Sequence, residues 1–427
     1  MNGRRRVVVT GLGVATSLGL GVEENWNSLL ACRSGIRKLT YPGAAASPVQ
    51  AVGAVPESDR ETIRREFPVE AASEGEWRTL FALWAASRAL KDAGLGANGP
   101  QERAGVSMAA GLGINRLEDI SRWTGQDGSF DYSRFGRELG SVHRESLMRN
   151  NAHRAAALIA DRFSLFGPNM TVTTACASAT QSIGMAFRAI QRGNADVMVA
   201  GGADSMINPV GLVFFVLLGA AAVSAEDPQT LCRPFDRRRS GLVMGEGAGV
   251  VVLEEEEHAR RRGARICAEV AGYGSSIDAY QVTAPHPQGR GAVESMRHAL
   301  RDAGMEPAEI DYINAHGTST KLNDAAETLA IKQVFQDHAG KLAISSSKSM
   351  IGHLLAASGG PEFVYTALSV MRDEIHPTAN LVNPDPKCDL DYVPLAMRKT
   401  RVRAALSNSF GFGGQNSSII VKKYYND

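Results

Sequence analysis

The sequence predicts an α/β fold. Three observations carry that expectation: strand-like β-branched runs alternate with helix-like stripes along the whole chain, glycine punctuates most strand ends, and one helix ending is echoed some two hundred residues later. Alternation of this kind is the pattern of largely buried sheets covered by helices.

The elements follow in order. Val7–Thr10 is a β-branched run stopping at Gly11-Leu12-Gly13. From Trp77 to Asp92 the apolar positions Leu80, Phe81, Trp84, Ala85 and Leu90 make a helical stripe that stops at Gly94. Val172–Thr174 reads as a strand, Ala177 to Arg192 as a helix, and Val197–Ala200 as a strand closed by Gly201-Gly202. The echo pairs Ala89-Leu90-Lys91-Asp92-Ala93-Gly94 with Ala299-Leu300-Arg301-Asp302-Ala303-Gly304, each followed by a strand-like run. It predicts two similar halves stacked as one body, residues 1–258 and 259–427, meeting near the charged stretch Glu254 to Gly263. Tyr41–Glu76 and Asn115–Ser146 read as irregular surface excursions. The apolar run Val210–Val223 is too short to span a bilayer and reads as a buried helix or a pocket or interface wall.

Composition narrows the function. The 427 residues hold 46 Lys+Arg against 45 Asp+Glu, a formal net charge of +1, so no global charge argues for nucleic acid or an anionic membrane as partner. Apolar residues make up 44%, enough for a sizeable core. The 5 cysteines are odd in number and scattered, against a disulfide framework or a CxxC metal site. A reducing cytoplasm suits them. Nothing near the N-terminus reads as a targeting segment.

Cys176 lies between a strand and a helix of small residues in Thr173-Thr174-Ala175-Cys176-Ala177-Ser178. The positive end of a helix dipole there favours thiolate, which suits a nucleophile; a buried structural cysteine is the competing reading. His316 stands at a strand end in Asn314-Ala315-His316-Gly317-Thr318-Ser319-Thr320, and His353 closes Lys348-Ser349-Met350-Ile351-Gly352-His353. Asp324 through Glu327 reads first as a capping box opening a helix. Ser407 to Asn416 is a glycine-rich turn carrying Phe410 and Phe412, whose glycines let a backbone N–H face a ligand. Gly11-Leu12-Gly13 fails as a dinucleotide fingerprint because Thr16 replaces the third glycine. The 9 histidines show no HExxH spacing.

Taken together, TTACAS, NAHGTST, KSMIGH and NSFGFGG, in that order, resemble the β-ketoacyl-acyl carrier protein synthases, and the elongating type II enzyme of fatty acid synthesis most of all. The resemblance runs over nearly the whole chain. It implies a thiolase-like five-layered αβαβα fold and a homodimer, or a heterodimer in a polyketide pathway. It implies Cys176, His316, His353 and Lys348 as catalytic residues, an oxyanion hole from the backbone of Cys176 and Phe412, and Phe412 as a gate. Ile114, Thr318, Thr320 and Phe410 become substrate-binding residues, with Asp324 and Glu327 behind them. Lys348 would orient His353 or tune the local field, with Glu327 holding Lys348. The implied partner is an acyl carrier protein bearing acyl or malonyl thioester; the chemistry requires no cofactor and no metal. The chain departs from the family pattern at Asn115-Arg116, at Lys321 and in Phe214–Ala222, where an arginine that usually faces the carrier is missing. Carrier docking is therefore expected at Arg64, Arg65, Arg237, Arg238 or Arg239. A ketosynthase of a specialised polyketide or unusual-lipid pathway is the alternative function, and a non-catalytic partner subunit a third.

Overall fold

The computed structural model describes residues 4–40, 44–95, 102–113, 121–142 and 151–425. Ten strands make the body. Those of the first half are β1 (Val7–Thr16), β2 (Ala104–Ala110), β3 (Asn169–Val172), β4 (Val197–Asp204) and β5 (Gly247–Glu255). Those of the second are β6 (Ala268–Ile277), β7 (Tyr312–Asn314), β8 (Ala343–Ser345), β9 (Ala404–Gly411) and β10 (Gln415–Lys422). The principal helices are α1 (Trp77–Asp92), α2 (Arg154–Phe163), α3 (Ser178–Gln191), α4 (Pro209–Leu217), α5 (Arg290–Ala303), α6 (Lys321–Phe335), α7 (Lys348–Ile351) and α8 (Gly359–Arg372).

The strands hydrogen-bond in the order β8-β7-β9-β10-β6-β1-β5-β4-β2-β3. Reading outward from the central β6–β1 pair, each half repeats one pattern. Two antiparallel neighbours come first, then three parallel strands. Helices α1, α2 and α3 follow β1, β2 and β3; α5, α6 and α8 occupy the matching places in the second half. Helices α3 and α8 lie between the halves in one core with Val7, Met198, Tyr312 and Ile419. All but the last two residues of α8 are buried. Helices α1 and α2 cover the other face of the first half, and α5 and α6 that of the second. That is the five-layered arrangement.

The echo now has a physical cause. Strands β1 and β6 each change register at a bulge, between Val9 and Gly11 and between Val270 and Gly272. A Cβ at Gly11 or Gly13 would lie 2.0 Å from the carbonyl oxygens of Ala89 and Ala85. One at Gly272 or Gly274 would lie 2.4 Å or 2.2 Å from those of Ala299 and Ser295. Only glycine lets α1 and α5 sit so close. The N–H groups of Leu12 and Tyr273, between the glycines, donate to Asp92 and Asp302, each at 3.0 Å. The repeated Ala-Leu-basic-Asp-Ala-Gly ending is thus one clamp, used twice.

Two expectations need correction. The excursion Tyr41–Glu76 contains two helices, Glu57–Glu66 and Pro68–Glu74. Within the run Val210–Val223, α4 is not a buried helix: Gly211 and Leu212 are buried, while Val213, Phe214 and Leu217 are exposed. No described helix is long and apolar enough to cross a membrane.

Candidate active site

Cys176 sits on the turn from β3 into α3. The residue before it, Ala175, adopts φ 50, a left-handed conformation that costs an L-residue of order 1–3 kcal/mol and recurs at functional sites. Ser178 holds the turn: its hydroxyl accepts from Thr174 N at 2.7 Å and donates to Ala175 O at 2.6 Å. The thiol is buried. Desolvation pushes it up to about 11, against the pull of the Lys348 charge and of the Phe412 N–H. Against the thiolate preference expected from the helix end, burial favours the neutral thiol.

His316 follows β7 and is fixed from behind. Its backbone N–H and that of Gly317 donate to the two carboxylate oxygens of Glu327 at 2.9 Å and 2.8 Å. Burial pushes Glu327 up to about 7 in spite of those bonds. The His316 ring packs edge-on against His353, centroids 5.3 Å apart, and against Phe410 at 5.9 Å. Cys176, His316 and His353 bring one side-chain donor atom each within 4.8 Å of one another.

The outer nitrogens of the two rings decide their chemistry. His316 Nδ1 lies 3.3 Å from Lys348 Nζ, a donor only. His353 Nδ1 accepts from Leu355 N at 3.1 Å and contacts Ser358 Oγ at 2.8 Å. Both Nδ1 atoms are therefore acceptors, and each proton sits on Nε2. Burial and the Lys348 charge hold both rings well below the usual histidine range, so they are neutral N–H donors. This polarity opposes metal ligation, in which a histidine gives its outer N–H to a carboxylate or carbonyl and its inner lone pair to the ion.

Lys348, wholly buried at the start of α7, pairs with Glu362 of α8. That corrects two expectations: Lys348 reaches His316 rather than His353, and Glu362 rather than Glu327 holds it. Burial pushes the Glu362 carboxyl up and the Lys348 charge opposes it. Glu362 is a site residue that sequence reasoning missed; its only signal was a lone acid in the small, apolar run Ala356 to Val364.

Asp324 and Glu327 do not form the expected capping box. The N-cap of α6 is Thr320, whose hydroxyl accepts from Asn323 N at 3.3 Å. Asp324, one turn in and buried, instead accepts from Phe235 N at 2.9 Å and pairs with Arg239 at 3.4 Å. Arg239 is only 1% exposed and bonds Asp385 at 2.7 Å, so it cannot meet a carrier. Arg64 bonds Glu57 and Glu61 at 2.7 Å and 2.6 Å and lies over Trp77. Arg65, Arg237 and Arg238 are exposed.

The glycine-rich turn brings Phe412 over the nucleophile. A Cβ at Gly411 would stand 3.0 Å from Cys176 N, so glycine permits this approach. The Phe412 ring lies 6.4 Å from that of Phe215 on α4. Gly413 N donates to Val282 O at 2.6 Å, and Asp278 N and Asn416 Nδ2 both donate to Gly414 O at 2.9 Å. A cavity of about 220 Å³ reaches Cys176, His316, His353, Phe410 and Phe412, and its walls include Thr318 and Thr320. Ile114 lies outside the described residues.

A buried nucleophilic thiol facing two neutral imidazole donors, inside a duplicated five-layered fold, defines a thiolase-like condensing site. Residues 4–259 match the Beta-ketoacyl synthase N-terminal domain and residues 267–382 its C-terminal domain, and the chain belongs to the β-ketoacyl synthase family. It is 41% identical over 425 residues to 3-oxoacyl-acyl-carrier-protein synthase 2 of Synechocystis sp., covering 99% of each chain. It is 38% identical to the Staphylococcus aureus protein of the same name, covering 99% of this chain and 100% of that one. Among solved structures it resembles a type II polyketide acyl-carrier protein in complex with its ketosynthase bound to the hexaketide (TM-score 0.86, 33% identity, 99% of this chain and 100% of that one). A β-ketoacyl synthase from Burkholderia phymatum matches equally well (TM-score 0.86, 33% identity, the same coverage).

Proposed function

We propose that the chain is the elongating β-ketoacyl-acyl carrier protein synthase of fatty acid synthesis: it joins malonyl-carrier protein to an acyl chain held on Cys176. The observation that carries this reading is the pair of neutral Nε2–H donors beside Cys176 Sγ.

In the first half-reaction, the Cys176 sulfur attacks the acyl thioester. The C–S bond to the carrier's pantetheine breaks, and the thiol proton leaves with that sulfur. The Cys176 and Phe412 N–H groups hold the tetrahedral oxyanion. In the second, His316 and His353 donate to the malonyl thioester oxygen as the bond to carbon dioxide breaks and an enolate develops. A donor aimed at developing charge is worth ~3 kcal/mol. The carbanion attacks the acyl carbonyl, a C–C bond forms, and Cys176 leaves as thiolate and is reprotonated. Lys348 and Glu362 keep the His316 proton on Nε2. Thr318 and Thr320 face the arm in the cavity wall.

A homodimer fits this reading, because among the described residues edge strand β3 pairs on one side only, with β2. Five unpaired cysteines suit the cytoplasm. The reading takes the junction of the halves near residue 258, in the helix Glu256–Arg261 that separates β5 from β6.

The test mixes the protein with acyl- and malonyl-carrier proteins and follows mass. Acyl-Cys176 and a product two carbons longer are expected; failure to acylate with any chain length would sink the reading. Cys176→Ala abolishes acylation, whereas His316→Ala and His353→Ala chiefly lose malonyl decarboxylation. A polyketide ketosynthase is the second reading, favoured by the likeness to a ketosynthase of a type II polyketide complex; a product elongated repeatedly without reduction selects it.

A further inference from the structure

We propose that the carrier protein is held at the cavity mouth by apolar contact, on a collar of Leu217, Leu218, Val282 and Leu322, rather than by a cationic patch. This rests on the condensing reading above and names the surface its partner uses.

Helix α4 and the residue after it carry Val213, Phe214, Leu217 and Leu218 at positions that share one helical face, and these are 45%, 44%, 79% and 47% exposed. The other side of the helix is engaged: Leu212 is buried, and Phe215 touches the Phe412 gate. Across the opening stand Val282, 75% exposed, and Leu322, 61% exposed. Leu218, Val282 and Leu322 also line the cavity that reaches Cys176. Contiguous exposed apolar surface of this kind marks a contact site. Its place selects the occupant: a thioester reaches Cys176 on an arm passing through this mouth, so the body bearing the arm rests on the surrounding lip.

Charge argues the same way. The four arginines between 233 and 239 look like a basic patch in the sequence. In the fold Arg233 is buried against Glu226 at 2.6 Å, and Arg239 against Asp324 and Asp385. Buried Asp236 lies among them. On helix Glu57–Glu66, Arg64 pairs with Glu57 and Glu61, and Arg60 with buried Glu246. Among the described residues, Lys321 in the cavity wall and exposed Arg237 and Arg238 beside it remain, too little to lead docking of a strongly acidic helix. A carrier whose docking helix presents leucine, valine or methionine fits better.

The test uses the full chain with two donors: an octanoyl-loaded bacterial acyl carrier protein, and octanoyl-N-acetylcysteamine, which has no protein body. Acyl-Cys176 formation is followed by mass spectrometry between about 50 and about 500 mM NaCl, a range over which exposed ion pairs are screened. The rate from the carrier is expected to change less than about twofold across it, and Arg238→Ala to change it as little. Leu217→Asp is expected to slow the carrier about tenfold more than the small thioester, and Leu322→Ser to act in the same direction. A steep loss of carrier rate with salt overturns the proposal, and so does equal sensitivity of the two donors to Leu217→Asp. A Leu217→Asp chain that sediments as a smaller oligomer also overturns it, assigning the face to a second copy. If the small thioester fails on the unaltered chain, it is the condensing reading that fails.

Discussion

Lys348 Nζ stands between Glu362 and His316, paired with the carboxylate and 3.3 Å from the imidazole Nδ1. One charge thereby sets which nitrogen of His316 carries the proton, and Glu362 keeps that charge in place. Replacing the pair together, Lys348→Met with Glu362→Gln, avoids stranding a lone buried charge. The double variant is expected to lose about 100-fold in malonyl decarboxylation, measured as carbon dioxide release. Acylation of Cys176 is expected to fall much less. Equal losses in both steps would contradict the tautomer role.

The same charge bears on the nucleophile. With the thiol pushed up to about 11, alkylation of Cys176 by iodoacetamide should be slow at neutral pH. It should climb about tenfold per pH unit through the alkaline range. Because Lys348 pulls the thiol down, the double variant should alkylate more slowly still. Peptide mass mapping over time reads both effects.

Gly411→Ala tests the oxyanion hole. Its Cβ would press on Cys176 N at 3.0 Å and displace one donor. The expected result is a loss of about 100-fold in acylation with an unchanged circular dichroism spectrum.

His376 supplies a pH prediction. Burial lowers it from 6.5 to about 4, so the native state binds fewer protons than the unfolded chain between those values. The sign follows: its contribution is intact above pH 6.5 and is lost as pH falls toward 4, by up to about 3 kcal/mol. Urea midpoints of the unaltered chain and of His376→Asn, followed from pH 7 to 4, should show a shallower acid decline in the variant.

The duplicated clamp predicts paired stability losses. Asp92→Ala and Asp302→Ala each strand a backbone N–H beside a bulge, at about 1–3 kcal/mol. Asp302 should cost more, because it pairs with two arginines, Arg4 at 2.9 Å and Arg188 at 2.8 Å, where Asp92 pairs with Arg265 at 2.6 Å. Thermal unfolding of the two single variants checks the order.

What could be read from the sequence was what depends on neighbours along the chain. Cys176, His316 and His353 sit in short turns whose glycines and small residues are adjacent, so their setting was visible. The echo was visible because a bulge clamp needs its glycines and aspartate at fixed spacing. Arg239 misled because Asp324 and Asp385, which consume its charge, come from distant segments. The desolvation that raises the Cys176 thiol was out of view for a similar reason: a helix end is local, whereas burial is imposed by the whole fold. Glu362 was hidden because nothing near it in the chain discloses a lysine fourteen residues away. The start of α6 was misread because Asp324 and Glu327 mimic a cap, while Thr320 performs it.

The internal symmetry of the sheet has a consequence for inheritance. Strands β3 and β8 hold matching places, yet the turn after one carries the nucleophile and the stretch after the other carries Lys348 and His353. The two halves share one sheet scaffold and differ at its tips. Each copy became dependent on the other's specialisation. Neither half therefore holds a whole site, and a change at the tips of either one is felt by the residues of the other.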